Sequence, residues 1–313
     1  MKRIEKYLSR YANTQGKIFL VTGANSGLGY AATEHFVSLH HTVIMACRNV
    51  NKGSEAKEAL LQKYPQAKLF VYAYDQADFE SMNACVNDIS RVFPHIDGFI
   101  LNAGIYHPRQ GLKTKQDFPL TMGTNYLGVY YFLRKCLEKG LFVDTYEQRI
   151  VFVGSLSWYR VKIKKIEAVL TTFAGDNTAQ YCRSKTAIGT LAYTLHQREV
   201  IHDLTLPKTV KATLMHPGIT STNIAGSMSS SFPAWFSYLA HKALYVFTHH
   251  PRIASLGIID LALNTAVDES KILVPRGLFH LSGYPKKMNY PKNLKENMTA
   301  LLTTTEEVLA KYL

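Results

Sequence analysis

Three groups of residues have the types and spacing of a chemical apparatus. Tyr181 and Lys185 stand four apart in Tyr181-Cys182-Arg183-Ser184-Lys185, within a stretch of helical character, so one helix face carries both. A free phenol, with a pKa of about 10, is a poor acid–base catalyst near neutrality, and an adjacent ammonium favours its phenolate. By itself the pattern also describes an ordinary surface pair. Ser155 ends the run Val153-Gly154-Ser155, where its hydroxyl can donate to a carbonyl oxygen or simply serve a turn. The third group, Thr22-Gly23-Ala24-Asn25-Ser26-Gly27-Leu28-Gly29, follows an apolar run and opens a helical one. Its glycines allow a tight turn and close approach of backbone N–H groups to a pyrophosphate, and the helix N-terminus adds partial positive charge. The spacing is GxxxGxG rather than the commoner GxGxxG.

Such groups act together only if elements far apart in sequence bring them together. Short apolar runs alternate with longer amphipathic segments: runs at 17–22, 42–47, 68–74, 98–102, 149–154 and 209–215, and helical stretches near 27–39, 51–63, 78–93, 120–139 and 179–202. A last run is placed at 277–281. Continuous apolar strands separated by helices predict right-handed crossovers and an α/β, Rossmann-type, doubly wound parallel sheet with helices on both faces, as a single domain. In such a sheet the C-terminal strand ends converge on one crevice. Gly23, Asn102-Ala103-Gly104 and Ser155 all lie at such ends.

The end of the second strand bears on cofactor choice. A site selective for NAD places an acid there, whereas this chain reads Ala46-Cys47-Arg48-Asn49. A guanidinium at Arg48, assisted by Lys52, suits a 2′-phosphate and predicts NADP(H) over NAD(H). The other reading of Arg48 is a solvated residue starting a loop.

Composition sets the limits. The 313 residues carry 36 Lys+Arg against 23 Asp+Glu, a formal charge of +13, and 47% are hydrophobic, which excludes a long disordered or low-complexity chain. The charge suits an anionic cofactor or an anionic membrane surface. No helix-turn-helix, zinc finger or RNP pattern accompanies it, so nucleic acid is not an expected partner. The four cysteines (Cys47, Cys85, Cys136, Cys182) form no CxxC pair, against a zinc site or a disulfide scaffold, and a reducing, cytoplasmic setting is expected. No metal is expected: His40-His41 and His249-His250 are adjacent pairs that share no helix face, and no HExxH occurs. No stretch reads as a signal peptide or reaches the ~20 apolar residues of a span. Residues 1–16 are expected to form a helical extension with Ile4, Leu8 and Tyr11 on one side, packed on the domain rather than anchored in lipid.

Taken in order, TGANSGLG, Asn102-Ala103-Gly104, Asn125, Ser155, the YxxxK at 181–185 and Pro217-Gly218 resemble the short-chain dehydrogenase/reductase family over roughly residues 17–285. Within it the chain is most similar to the retinol dehydrogenase-like, NADP-dependent carbonyl reductases, through "ACRN", "YCRSK", "HPG" and the 26-residue interval from Ser155 to Tyr181. The resemblance implies hydride transfer between NADP(H) and a carbonyl or alcohol. It implies Tyr181 as general acid or base, Lys185 on the nicotinamide ribose and lowering the Tyr181 pKa, Ser155 holding the substrate oxygen, and Asn125 supporting a relay water. It implies cofactor contacts at Gly23, Asn25, Ser26, Gly27, Leu28, Gly29, Arg48, Asp75 (adenine), Asn102, Ala103, Gly104, Pro217, Gly218 and Thr222 (carboxamide). It also makes a homo-oligomer an expectation. Two features depart from the relatives: the N-terminal membrane segment common among them has no counterpart in this sequence, and Gly154 stands where Ser is frequent.

Residues 219–250 are read as a substrate lid over the crevice, rich in aromatics from Phe232 to Phe247 and preceded by Ser and Gly. They suit a lipid aldehyde, retinoid, steroid or aromatic ketone, and equally a core helix, a dimer contact or a peripheral membrane contact. The basic run Arg160–Lys165 is read as a solvated loop, and residues 286–313 as a C-terminal helical extension. His216, in "HPG", is read as packing or cofactor-proximal rather than catalytic. The reading from another class is a catalytically silent NADP(H)-binding sensor or scaffold. A third is a peripheral membrane protein docking through its basic N-terminus and aromatic segment.

Overall fold

The computed structural model describes residues 2–106, 108–109, 111–160, 166–173, 176–198, 204–220 and 250–313. Its elements, in chain order, are α1 (Lys2–Leu8), β1 (Ile18–Thr22), α2 (Gly27–Ser38), β2 (Thr42–Cys47), α3 (Val50–Lys63), β3 (Lys68–Ala73), α4 (Phe79–Val92) and β4 (Gly98–Leu101). There follow α5 (Leu120–Met122), a π-helical turn (Gly123–Leu127), α6 (Gly128–Glu138), β5 (Gln148–Val153), a 3-10 turn (Leu156–Arg160), α7 (Ile166–Thr171), α8 (Asn177–Gln197) and β6 (Val210–Met215). The chain ends with α9 (Pro251–Ala254), α10 (Leu256–Leu263), β7 (Lys271–Pro275), β8 (Pro285–Asn289) and α11 (Met298–Leu309).

The eight strands form one sheet in the order β3-β2-β1-β4-β5-β6-β7-β8. All neighbours are parallel except β7 and β8. The order reverses between β1 and β4, and the C-terminal ends of those strands open the crevice where a doubly wound sheet binds its ligand. Alternation along each strand divides the core. Phe19, Val21, Val43, Met45, Ile100 and Val151 pack with α2, α3 and α10 on one face. Leu20, Ile44, Phe99, Ile150 and Phe152 pack with α4, α6, α8 and α11 on the other. Asn49, Asp78 and Asp176 cap the helices after them by accepting from Lys52 N, Glu80 N and Ala179 N.

One expectation is corrected at the end of the chain. The run placed at 277–281 is not a strand: Leu278–His280 form a 3-10 turn, between strands at Lys271–Pro275 and Pro285–Asn289. The parallel sheet also takes in one antiparallel edge strand. The return through residues 276–284 is too short for the crossover a parallel pair needs, so β8 pairs antiparallel at the edge. The boundary placed between 285 and 286 therefore falls inside β8.

Alpha1 lies against the domain. Leu8 and Tyr11 are buried in the same cluster as Ile258 and Ile259 of α10. Asp260 of α10 accepts hydrogen bonds from Tyr7 Oη (2.5 Å), Arg10 Nη2 (2.9 Å) and Tyr11 Oη. Among the described residues no helix is long and apolar enough to cross a membrane, and no group of His, Cys, Asp and Glu could hold a metal ion.

Candidate active site

The turn from β1 to α2 is fastened from below: Gly23 N donates to Ala46 O at the end of β2 (2.8 Å). Gly23 and Gly27 have φ of +68° and +56°, where side chains are disfavoured. A Cβ on Gly29 would run into Gly23 O and stand 2.6 Å from Asn102 Nδ2. Ser26 precedes α2 in extended conformation, and its side chain makes no capping bond. The first N–H groups of α2 are therefore not capped by that side chain, and Asn25, Ser26 and Leu28 occupy the turn they front. This cradle, which a Cβ at Gly29 would fill, fits a dinucleotide pyrophosphate. Cys47 closes the back of the turn: its thiol is hydrogen-bonded to the backbone of Ala24 and Asn25, while burial pushes its pKa up to about 11. Arg48 is exposed immediately after β2, and Asp75 is half-buried after β3, with Oδ1 accepting from Ala77 N (3.0 Å).

Asn102 ties the ends of β4 and β1 together. Its Nδ2 donates to Thr22 O (2.9 Å), and the backbone N–H groups of Asn102 and Ala103 both donate to Thr22 Oγ1 (3.0 and 2.9 Å). Gln76, which the sequence reading did not single out, donates from Nε2 to Ala103 O (3.1 Å) and Thr124 O (2.7 Å). It thereby joins this loop to the π-helical turn that carries Asn125. A single π turn within a helix commonly marks a functional position.

The Asn125 carboxamide acts as a staple. Oδ1 accepts from Ile105 N (2.8 Å), and Nδ2 donates to Ile105 O (2.9 Å) and Ser184 Oγ (3.0 Å). Its oxygen and its amide nitrogen are thus both engaged by protein. The structure gives it the holding of the 102–106 loop against α8.

Ser155, Tyr181 and Lys185 meet at the end of β5. Tyr181 is 9% exposed and hydrogen-bonded with Ser155, and the Tyr106 ring meets it edge-on at 4.7 Å between centroids. Ser155 Oγ also accepts from Ser157 N (3.2 Å). Lys185 is 7% exposed, and its Nζ donates to Val153 O (3.1 Å). A Cβ on Gly104 would lie 3.1 Å from Asn125 Oδ1 and 3.4 Å from Lys185 Nζ, so a side chain there would crowd both groups. Burial pushes the Tyr181 phenol up to about 12, opposed by the Ser155 hydrogen bond. Burial pulls the Lys185 ammonium down to about 8. The Tyr181 phenol is thus raised rather than lowered, with burial the largest cause. The ammonium is 5.9 Å from the ring centroid and bonded to a backbone carbonyl.

Gly154 has a packing reason. Trp158, fully buried, covers it so closely that a Cβ would enter the indole ring, so Ser does not fit there. His216, also fully buried, meets Trp158 edge-on at 5.3 Å, in the packing role the sequence suggests. Gly218 has φ of +75° and sits under Leu281 O, and Ile219 N donates to that carbonyl (2.8 Å). Pro217 and Gly218 thus join the end of β6 to the turn after β7. Thr222, most of the proposed lid (221–249) and the basic residues 161–165 lie outside the described residues.

Comparison with known proteins follows the same outline. The family model of the short chain dehydrogenases matches residues 17–231. Retinol dehydrogenase 14 of mouse is 33% identical over 219 residues, 67% of this chain and 63% of the relative's length. The match thus covers less than two thirds of that protein. Retinol dehydrogenase 11 of mouse is 28% identical over 239 residues, 76% of this chain and 70% of the relative. Among solved structures, an uncharacterised protein from Mycobacterium paratuberculosis superposes with a TM-score of 0.70 at 22% identity, covering 96% of this chain and 97% of its own.

Proposed function

The chain belongs to the short chain dehydrogenase family, and from that premise we propose that it is an NADP(H)-dependent oxidoreductase interconverting a carbonyl and an alcohol on an apolar substrate. One observation carries the reading. Ser155 and Tyr181 are hydrogen-bonded to each other at the mouth of the sheet, with the Lys185 ammonium buried behind them beside Gly104.

The chemistry assigned to each residue follows from this arrangement. A substrate carbonyl oxygen seated between Ser155 Oγ and Tyr181 Oη receives a hydrogen bond from Ser155 and a proton from Tyr181. When bound, the reduced nicotinamide supplies the hydride that the carbonyl carbon accepts, so carbonyl, hydride and proton give the alcohol. In reverse, a Tyr181 phenolate takes the alcohol proton. A phenol held up to about 12 keeps its proton at neutral pH, which suits the acid role in reduction. Alcohol oxidation is expected to accelerate as pH rises toward that value. Lys185 would hold the nicotinamide ribose from below, and the Gly23–Gly29 turn would hold the pyrophosphate. Selectivity for NADP(H) rests on Arg48, exposed where β2 ends with no acid beside it in sequence.

The test is loss of NADPH absorbance, with NADH in parallel, across apolar aldehydes and ketones. NADPH-selective turnover is expected, with Tyr181→Phe reducing kcat by about 10²–10⁴-fold, the usual range for a lost general acid. Arg48→Ala is expected to weaken NADPH by about tenfold while leaving NADH unchanged, the loss of one charge-assisted contact. Tight NADPH binding without turnover on any substrate would favour the silent sensor or scaffold instead.

A further inference from the structure

The turn after β7 has a feature the proposed reaction does not use. Leu278 and Phe279 are 70% and 74% exposed, the largest exposures of any large apolar side chain among the described residues. Their exposure is built into the backbone. Phe279 and His280 both hold left-handed conformations, with φ of +49° and +60°, a strained choice for two consecutive residues that are not glycine. The tip is closed by hydrogen bonds at its base: Arg276 N to Tyr284 O (2.8 Å), Gly277 N to Ser282 O (2.8 Å) and Leu281 N to Leu278 O (3.1 Å). A loop fastened this way presents its two apolar side chains outward rather than folding them down.

The rim of the tip is basic. Arg276 is exposed at its base, and burial, then the charge of Lys286, holds the His280 imidazole below its usual range. Beside it runs a groove of about 550 Å³ between the turn and the N-terminal segment, lined by Arg10, Arg276, Tyr7 and Tyr284 among others. The acid in that lining, Asp260, is already taken up by Arg10 and two tyrosines. Lys2, Arg3 and Lys6 of α1 are exposed. An apolar point flanked by basic side chains complements an anionic lipid surface. Side chains enter the acyl boundary while lysines and arginines meet the headgroups.

We propose that Leu278 and Phe279, with Arg276 and Lys286 beside them, dock the protein on the surface of a bilayer containing anionic lipid. The tip lies at the C-terminal end of β7, the edge of the parallel strands at which Ser155 also stands. The docking does not depend on the reaction proposed above.

The experiment is co-sedimentation of the full chain with vesicles of phosphatidylcholine alone and of phosphatidylcholine with phosphatidylserine, at low and high salt. Binding is expected with phosphatidylserine at low salt and is expected to fall steeply at high salt. Leu278→Ser/Phe279→Ser and, separately, Arg276→Glu are each expected to reduce the bound fraction about tenfold. Phe279→Gly removes the ring and the strain together, so it is expected to lose binding while its Tm stays level or rises, which separates docking from folding. The proposal is overturned if the wild type fails to sediment with phosphatidylserine vesicles, or if the double variant sediments as the wild type does. It is also overturned if the double variant abolishes concentration-dependent self-association of a protein that binds no vesicles, which would assign the tip to a second copy of the chain.

Discussion

At the same edge of the sheet, two turns hold left-handed backbone in opposite ways. The turn after β1 uses Gly23 and Gly27, and its neighbour Gly29 is packed until no side chain fits. The turn after β7 uses Phe279 and His280, and it leaves the ring of Phe279 in solvent. Where backbone must approach backbone, glycine relieves strain and makes room for a ligand. Where side chains are presented outward, strain is retained. The crevice bears its cost as close packing and a desolvated ammonium; the β7–β8 turn bears its cost as backbone strain and exposed apolar surface. Substitutions should therefore act with opposite sign in the two places.

The largest effect is expected at Gly29. Gly29→Ala drives a methyl into Gly23 O and the Asn102 amide, and should cost about 3 kcal/mol, the upper end for overpacking. NADPH affinity should fall about a hundredfold, because the cradle must open. Denaturant unfolding and a fluorescence titration measure both, and an unchanged variant would break the contrast.

Lys185 gives a smaller, pH-dependent effect. Its folded pKa of about 8 lies below the ordinary 10.5, so between those values the unfolded chain binds more protons than the folded one. Wild type should therefore gain stability relative to Lys185→Met as pH rises from about 8 to about 10, by about 2 kcal/mol. Comparing the two proteins at each pH is needed because burial raises the pKa values of Cys47, Cys85 and Cys136, which act in the opposite direction above pH ~9. A parallel pH dependence in the two proteins would show that Lys185 is not desolvated.

The smallest effect has the opposite sign. Phe279→Gly should raise stability by about 0.5 kcal/mol, the relief of left-handed strain less the added chain entropy of glycine. A thermal melt that moves downward would mean that the ring is packed, and the difference between the two turns would disappear.

Much of this was legible in the residues themselves. Apolar runs bounded by glycine and helical periodicity between them placed β1 to β6 and the crossover helices, because both signals are local and repeat with the period of the element. Gly23, Asn102, Ser155 and Pro217 pointed to the crevice for the same reason: each lies just past a strand, and a parallel sheet collects strand ends at one edge. Strand pairing at the end of the chain was not legible. Residues 277–281 look like a short strand, but β7 and β8 take the pairing positions on either side, a choice made by contacts distant in sequence. Packing gave Gly154 its meaning through Trp158, and Gln76 its place through two carbonyls on other loops. The protonation of Tyr181 and Lys185 was likewise decided in three dimensions. Spacing puts them on one helix face, but desolvation depends on what else covers that face. The sequence thus determined which groups are present and where along each element they stand, and the tertiary structure decided which are buried, what holds them and what they expose.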